Sequence, residues 1–113
     1  MRLSPAPRAI ARGAAVALAL TILIGAGQTK PRSHVVDIAG FQFAPAQITV
    51  AVGDTVTWSN HDIVPHTATA MDGAWDSGTL EGKARRSVVI RAKGKVDYQC
   101  TLHPSMKGTV VVR

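Results

Sequence analysis

One cysteine, five aromatic residues and seven acidic residues in a chain of 113 are low counts, and each excludes something. A lone Cys100 allows no internal disulfide and no Cys-x-x-Cys-His haem attachment. No His-x-His pair occurs, and Cys100 stands between Gln99 and Thr101. The histidine pairs that a trinuclear copper cluster needs are therefore missing, and multicopper oxidases with them. A hydrolytic zinc centre keeps an open water position and seldom uses methionine, so the chain reads as a non-enzyme. The N-terminal apolar run, Gly13 to Ile24, falls short of the ~20 residues that a spanning helix needs.

That run has another use. Arg2, Arg8 and Arg12 precede it and Gly25-Ala-Gly27 follows, which is the layout of a secretory signal peptide. Residues 1–27 are expected to be a signal peptide cleaved near Gly27, with an uncleaved anchor as the alternative and the only route to a membrane. Residues 28–113 are then one small domain, exported to the periplasm. Three of the thirteen basic residues leave with the leader and all seven acidic ones stay, so ten stand against seven. A net charge of +3 is no nucleic-acid footprint. In an oxidising compartment a single thiol is a liability unless it is buried or bound to something.

The remaining pattern is β throughout. Stretches 34–39, 47–52, 55–60, 65–70, 86–92, 96–101 and 108–113 are short, rich in Val, Ile and Thr, and partly alternating. Gly53-Asp54 and Lys93-Gly94-Lys95 read as turns, the latter as a hairpin turn. Phe41 to Pro45 reads as a connection whose two aromatics plug the core, and 72–83, with its three glycines, as a long surface connection. Trp58, in strand phase with Val56, is a packing residue; Trp75 is either a core plug or a docking aromatic. Frequent turns between short strands argue an all-β protein, a β-sandwich of about seven to eight strands.

The chemistry lies near the C-terminus, in Tyr98-Gln-Cys-Thr-Leu-His-Pro-Ser-Met106. Cys100, His103 and Met106 put a thiolate, an imidazole and a thioether on one short loop. Soft sulfur with imidazole selects copper, whereas calcium and magnesium want oxygen. Two His, one Cys and a long axial Met make the blue-copper arrangement, and His66 in Pro65-His66-Thr67 supplies the second imidazole. Val96, Tyr98 and Cys100 share one strand face, which sends the sulfur to an apolar end of the sandwich, while Pro104 stiffens the loop. Taken alone, a buried structural Cys and a loop His are the plainer readings of Cys100 and His66. The combination of four donors decides otherwise. His34 and His61 read as solvated surface histidines.

Gly40-Phe-Gln-Phe-Ala-Pro45, Val52-Gly-Asp-Thr-Val-Thr-Trp-Ser-Asn60, Pro65-His66-Thr67, Asp72-Gly-Ala-Trp-Asp-Ser-Gly78 and the Cys100–Met106 loop together resemble the plastocyanin/azurin family, the cupredoxins. The short ligand loop is similar to that of amicyanin. The resemblance covers nearly the whole exported domain and implies a Greek-key β-sandwich holding one type 1 copper through His66, Cys100, His103 and Met106. It also implies a monomer that carries single electrons between redox proteins of the cytochrome c, dehydrogenase or oxidase type, with no nucleic acid involved. Copper delivery, storage or resistance is the alternative use of the same ligands. Two positions depart from the family pattern. Thr67 stands where Asn usually braces the ligand loop, and its hydroxyl is expected to replace part of that brace. Leu102 stands where amicyanin has Pro and brings a backbone N–H, expected to join that of Thr67 on the Cys100 sulfur. Val64, Pro65 and Pro104 are expected to form an apolar patch about His103, with Lys107, Lys83, Arg85 and Arg86 available either to steer an acidic partner or simply for solubility.

Overall fold

The structure is a computed structural model and describes residues 30–113; the expected leader lies outside the described residues. Eight strands run β1 Ser33–Ala39, β2 Gln42–Ala44, β3 Gln47–Val50, β4 Thr55–Asn60, β5 Thr69–Ala70, β6 Arg85–Val89, β7 Gly94–Gln99 and β8 Lys107–Val112. They form two four-stranded sheets, β2-β1-β4-β6 and β3-β8-β7-β5. Two pairings are parallel, β1 with β4 and β3 with β8; the others are antiparallel. The chain changes sheet at each of the five connections from β2 to β7, as an interleaved Greek-key sandwich requires. Among the described residues no helix is long and apolar enough to cross a membrane.

Alternation along the strands builds the core. Val36 and Ile38 of β1, Val56 and Trp58 of β4, Val96 and Tyr98 of β7, and Val110 and Val112 of β8 all point between the sheets and are buried. Trp58 packs against Trp75 (ring centroids 4.8 Å apart) and edge-on to Tyr98 (5.4 Å), so Trp75 is a core plug and no docking aromatic. Burial pushes the phenol of Tyr98 up to about 12. Tyr98 lies over Gly108, its cross-strand partner on β8, and no other residue leaves room for that ring.

Several boundaries differ from those expected, for physical reasons. Gly53 does supply a positive φ (98°), but Gly53-Asp54 joins β3 in one sheet to β4 in the other. Lys93-Gly94-Lys95 is likewise a sheet-to-sheet crossing rather than a hairpin turn, because β6 pairs with β4 and β7 with β8. Only Thr69–Ala70 of the stretch 65–70 joins a ladder; Pro65 has no N–H to give, and His66 bridges to Leu80 instead. The stretch 41–45 contains a true hairpin, with β2 folded back on β1. Only Phe43 of its two aromatics enters the core. Phe41 stays half exposed at φ 62°, beside Gly40 at φ 60°, in a two-residue turn. A left-handed conformation at a bulky residue costs on the order of 1 kcal/mol, so something must hold it there.

Candidate metal centre

Strand phase brings the site together. Tyr98 faces the core, Gln99 does not, and Cys100, one residue past the end of β7, returns to the inner face with no exposure. The chain then turns through Thr101 to Ser105. Met106 N–H donates to His103 O (2.9 Å) and Cys100 N–H to Met106 O (3.1 Å), which closes the loop before β8 begins. His66 reaches the same point from the connection between β4 and β5. It is fully buried and anchored by paired backbone bonds with Leu80, 3.0 and 2.7 Å. Buried Asn60 fixes the approach of that connection: Nδ2 donates to Val64 O (2.8 Å) and Leu80 O (3.0 Å), and Oδ1 accepts the Asp62 N–H (2.9 Å).

The donor atoms of His66, Cys100 and His103 all lie within 4.8 Å of one another. Cys100 Sγ is 3.8 Å from Nδ1 of both His66 and His103. Metal–nitrogen and metal–sulfur bonds of about 2.1 and 2.3 Å, set 120° apart, put their donors about 3.8 Å apart, so the spacing fits a trigonal metal ion. Met106 is buried in the same apolar cluster as Cys100. Soft sulfur with two imidazoles and a thioether suits copper. His34 and His61 stand elsewhere, on Asp54 (2.9 Å) and Asp37 (2.9 Å).

Three features orient the donors. His66 Nε2–H donates to Asp62 Oδ2 (2.8 Å), which leaves the Nδ1 lone pair free for a metal. That carboxylate also accepts the N–H groups of Gly40 (2.8 Å) and Phe41 (3.0 Å). The Phe41 amide, then those of Gly40 and the His66 ring, hold the Asp62 carboxyl below its ordinary range against the cost of desolvation. Thr67 N–H points at Cys100 Sγ (3.3 Å). The Thr67 hydroxyl accepts the Thr101 N–H (2.9 Å) and sits 3.2 Å from the Thr101 hydroxyl, so threonine does clamp the ligand loop to the body of the domain. The second N–H expected from Leu102 is not on the sulfur. Among the described residues the sulfur has one backbone donor, and Leu102 is instead half exposed in the loop.

His103 is the partly exposed imidazole of the site, and its chain neighbours Leu102 and Pro104 are exposed and apolar. Leu102 is 49% exposed, and in the segment that leads to His66, Ile63 is 86% exposed with Val64 and Pro65 half-buried. Phe41 completes the group, its ring set edge-on to His66 (5.0 Å) and His103 (4.8 Å). Sequence reasoning missed Asn60, Asp62 and Phe41. A carboxylate four residues before a candidate ligand was the visible signal for Asp62; nothing local marks Phe41, which reaches the site through the β1–β2 turn.

A β-sandwich with one buried Cys, two convergent His and a Met in a short loop defines a cupredoxin-type copper protein. The profile of copper binding proteins of the plastocyanin/azurin family matches residues 30–113, and the chain belongs to that family. Within it the chain resembles the amicyanins. It is 39% identical over 83 residues to amicyanin of Paracoccus denitrificans, covering 69% of this chain and 63% of that protein's length. It is 36% identical over 104 residues to amicyanin-alpha of Methylorubrum extorquens, covering 88% and 87%. A solved amicyanin variant in its Cu(I) form superposes with a TM-score of 0.67 at 34% identity, covering 72% of this chain and 82% of that one. A purple cupredoxin from Nitrosopumilus maritimus gives 0.65 at 28% identity, covering 71% and 99%. Copper is the cofactor of this family.

Proposed function

We propose that this protein is a single-electron carrier with one type 1 copper that His66 Nδ1, Cys100 Sγ, His103 Nδ1 and the Met106 thioether would hold. Copper, when bound, supplies the Cu(II)/Cu(I) couple. The residues do the rest. Asp62 fixes the His66 tautomer, the Thr67 hydroxyl ties the ligand loop to the sandwich, and the Thr67 N–H draws electron density from the thiolate. A donor set held by the hydrogen bonds of the surrounding fold changes little between oxidation states, which favours fast electron exchange. The observation that carries the reading is that three donors are buried or nearly so while His103 alone reaches an apolar surface. That surface suits a brief encounter with a redox protein of the cytochrome c, dehydrogenase or oxidase type. The basic start and apolar run of residues 1–27, which read as a leader, support a periplasmic location. Copper delivery needs a metal that leaves easily, and the buried His66 and clamped loop oppose it.

The copper-loaded protein is expected to show a strong band near ~600 nm, the mark of copper–thiolate bonding of the blue type. Cys100→Ala should abolish it and His103→Gly weaken it, with the far-ultraviolet spectrum of the sandwich retained. Fast electron self-exchange with slow release to a Cu(I) chelator is expected; fast release with slow exchange would mark a copper-handling protein instead.

A further inference from the structure

Phe41 is the one strained, bulky residue that touches the metal centre. The β1–β2 turn has two residues, Gly40 and Phe41, both at positive φ (60° and 62°). Turns of that kind call for Gly or Asn at both places, so phenylalanine is a poor choice for the turn itself. The surrounding structure imposes it. Asp62 takes the N–H of Gly40 on one oxygen and that of Phe41 on the other, and the second oxygen also holds His66 Nε2. One carboxylate thus bolts the turn to a candidate ligand. The Phe41 ring then meets His66 at 5.0 Å and 88°, and His103 at 4.8 Å and 80°, while the two imidazoles stand 5.0 Å apart. Strain that the surroundings over-determine tends to mark a functional position.

A cleft of about 230 Å³ is lined by Phe41, Phe43, Ser105, Met106 and Lys107 among others; of the three rings Phe41, His66 and His103 only that of Phe41 borders it, so Phe41 stands between the cleft and the two imidazoles. It is roomy enough for a small ligand, has a cation, Lys107, on its wall and is bordered by the candidate ligand Met106. We infer that Phe41 is a positioning residue that fixes both imidazoles and denies small anions in this cleft a bond to the metal. The inference rests on the copper reading given above. It assigns the turn a role in specificity: the site exchanges electrons through its ligands and takes no external ligand.

The test uses the Cu(II)-loaded protein, with sodium azide as the probe and visible and electron paramagnetic resonance spectra as the readout. Parent and Phe41→Tyr, which keeps the ring, should hold their spectra unchanged. Phe41→Gly should bind azide at least about tenfold more tightly, with reversible loss of the blue band. Glycine suits the left-handed turn, so Phe41→Gly should be no less stable to urea than the parent, and its spectral change is not a sign of unfolding. A Phe41→Gly protein that keeps a blue, azide-insensitive site overturns the inference, as does a Phe41→Tyr protein that is as sensitive as Phe41→Gly. A parent protein with no blue band overturns the copper-site reading itself.

Discussion

Thr67 carries two tasks, one on its backbone and one on its side chain. Its N–H faces the thiolate and its hydroxyl takes the Thr101 N–H, so one residue both tunes the sulfur and anchors the loop that bears the other donors. Thr67→Ala leaves the first task intact and removes the second. The variant is expected to lose about 1–2 kcal/mol in urea unfolding of the apo protein, the range for a lost, partly buried hydrogen bond. Its copper spectrum should broaden as the loop gains freedom. Thr67→Asn, which offers a carbonyl oxygen in place of the hydroxyl, should recover most of both losses. Met106 has a separate effect. A thioether stabilises Cu(I), and Met106→Gln substitutes a harder oxygen, so copper should be retained at a lower potential by voltammetry.

At the scale of strands, the closest fit lies between β7 and β8. Tyr98 covers Gly108, and a methyl group there would overlap both Cζ and the hydroxyl of the ring. Because Tyr98 is wedged against Phe43 and Trp58, it has nowhere to retreat. Gly108→Ala should destabilise the apo protein by about 1–3 kcal/mol in denaturant titration, the cost of overpacking a filled core. Most of this architecture was legible beforehand, because period-two alternation is a local property. Val56 with Trp58, and Val96 with Tyr98 and Cys100, declared their inner face directly. Sheet membership was not legible. Glycine-bearing turns look alike whether they join partners in one sheet or cross to the other, as Gly53 and Gly94 do. The same limit applied at the site. Cys100, His103 and Met106 share a loop and His66 lies in a recognisable Pro-His-Thr segment, whereas Phe41 and Asp62 meet His66 only through the fold.

The whole molecule has a second fixed point, remote from the metal centre. Asp54 accepts the N–H groups of Arg32 (2.8 Å) and Ala51 (3.0 Å) and the ring of His34 (2.9 Å), joining the start of β1 to the crossing between the sheets. These bonds, the Arg32 amide first, lower its pKa from 3.8 to about 2. A carboxyl depressed in the folded state stabilises the fold fully above its unfolded pKa and loses that effect as pH falls through the folded one. The stability gap between the parent and Asp54→Asn should therefore be constant above pH 3.8 and shrink as pH drops towards about 2, as read by urea midpoints across that range.

The two parallel pairs bear on timing. β1 cannot find its central partner until β4 exists, and β3 must wait for β8, the last strand of all. Closures between distant parts of a chain are slow, since the entropy of a long loop is lost before any contact compensates. β8 begins at Lys107, directly after Met106. Docking of this final strand draws the Cys100–Met106 loop taut, so the donors reach their mutual spacing only when the rest of the sandwich is already built. Until then Cys100, His103 and Met106 share one short segment while His66 lies apart from them, and the full four-donor set awaits the finished sandwich.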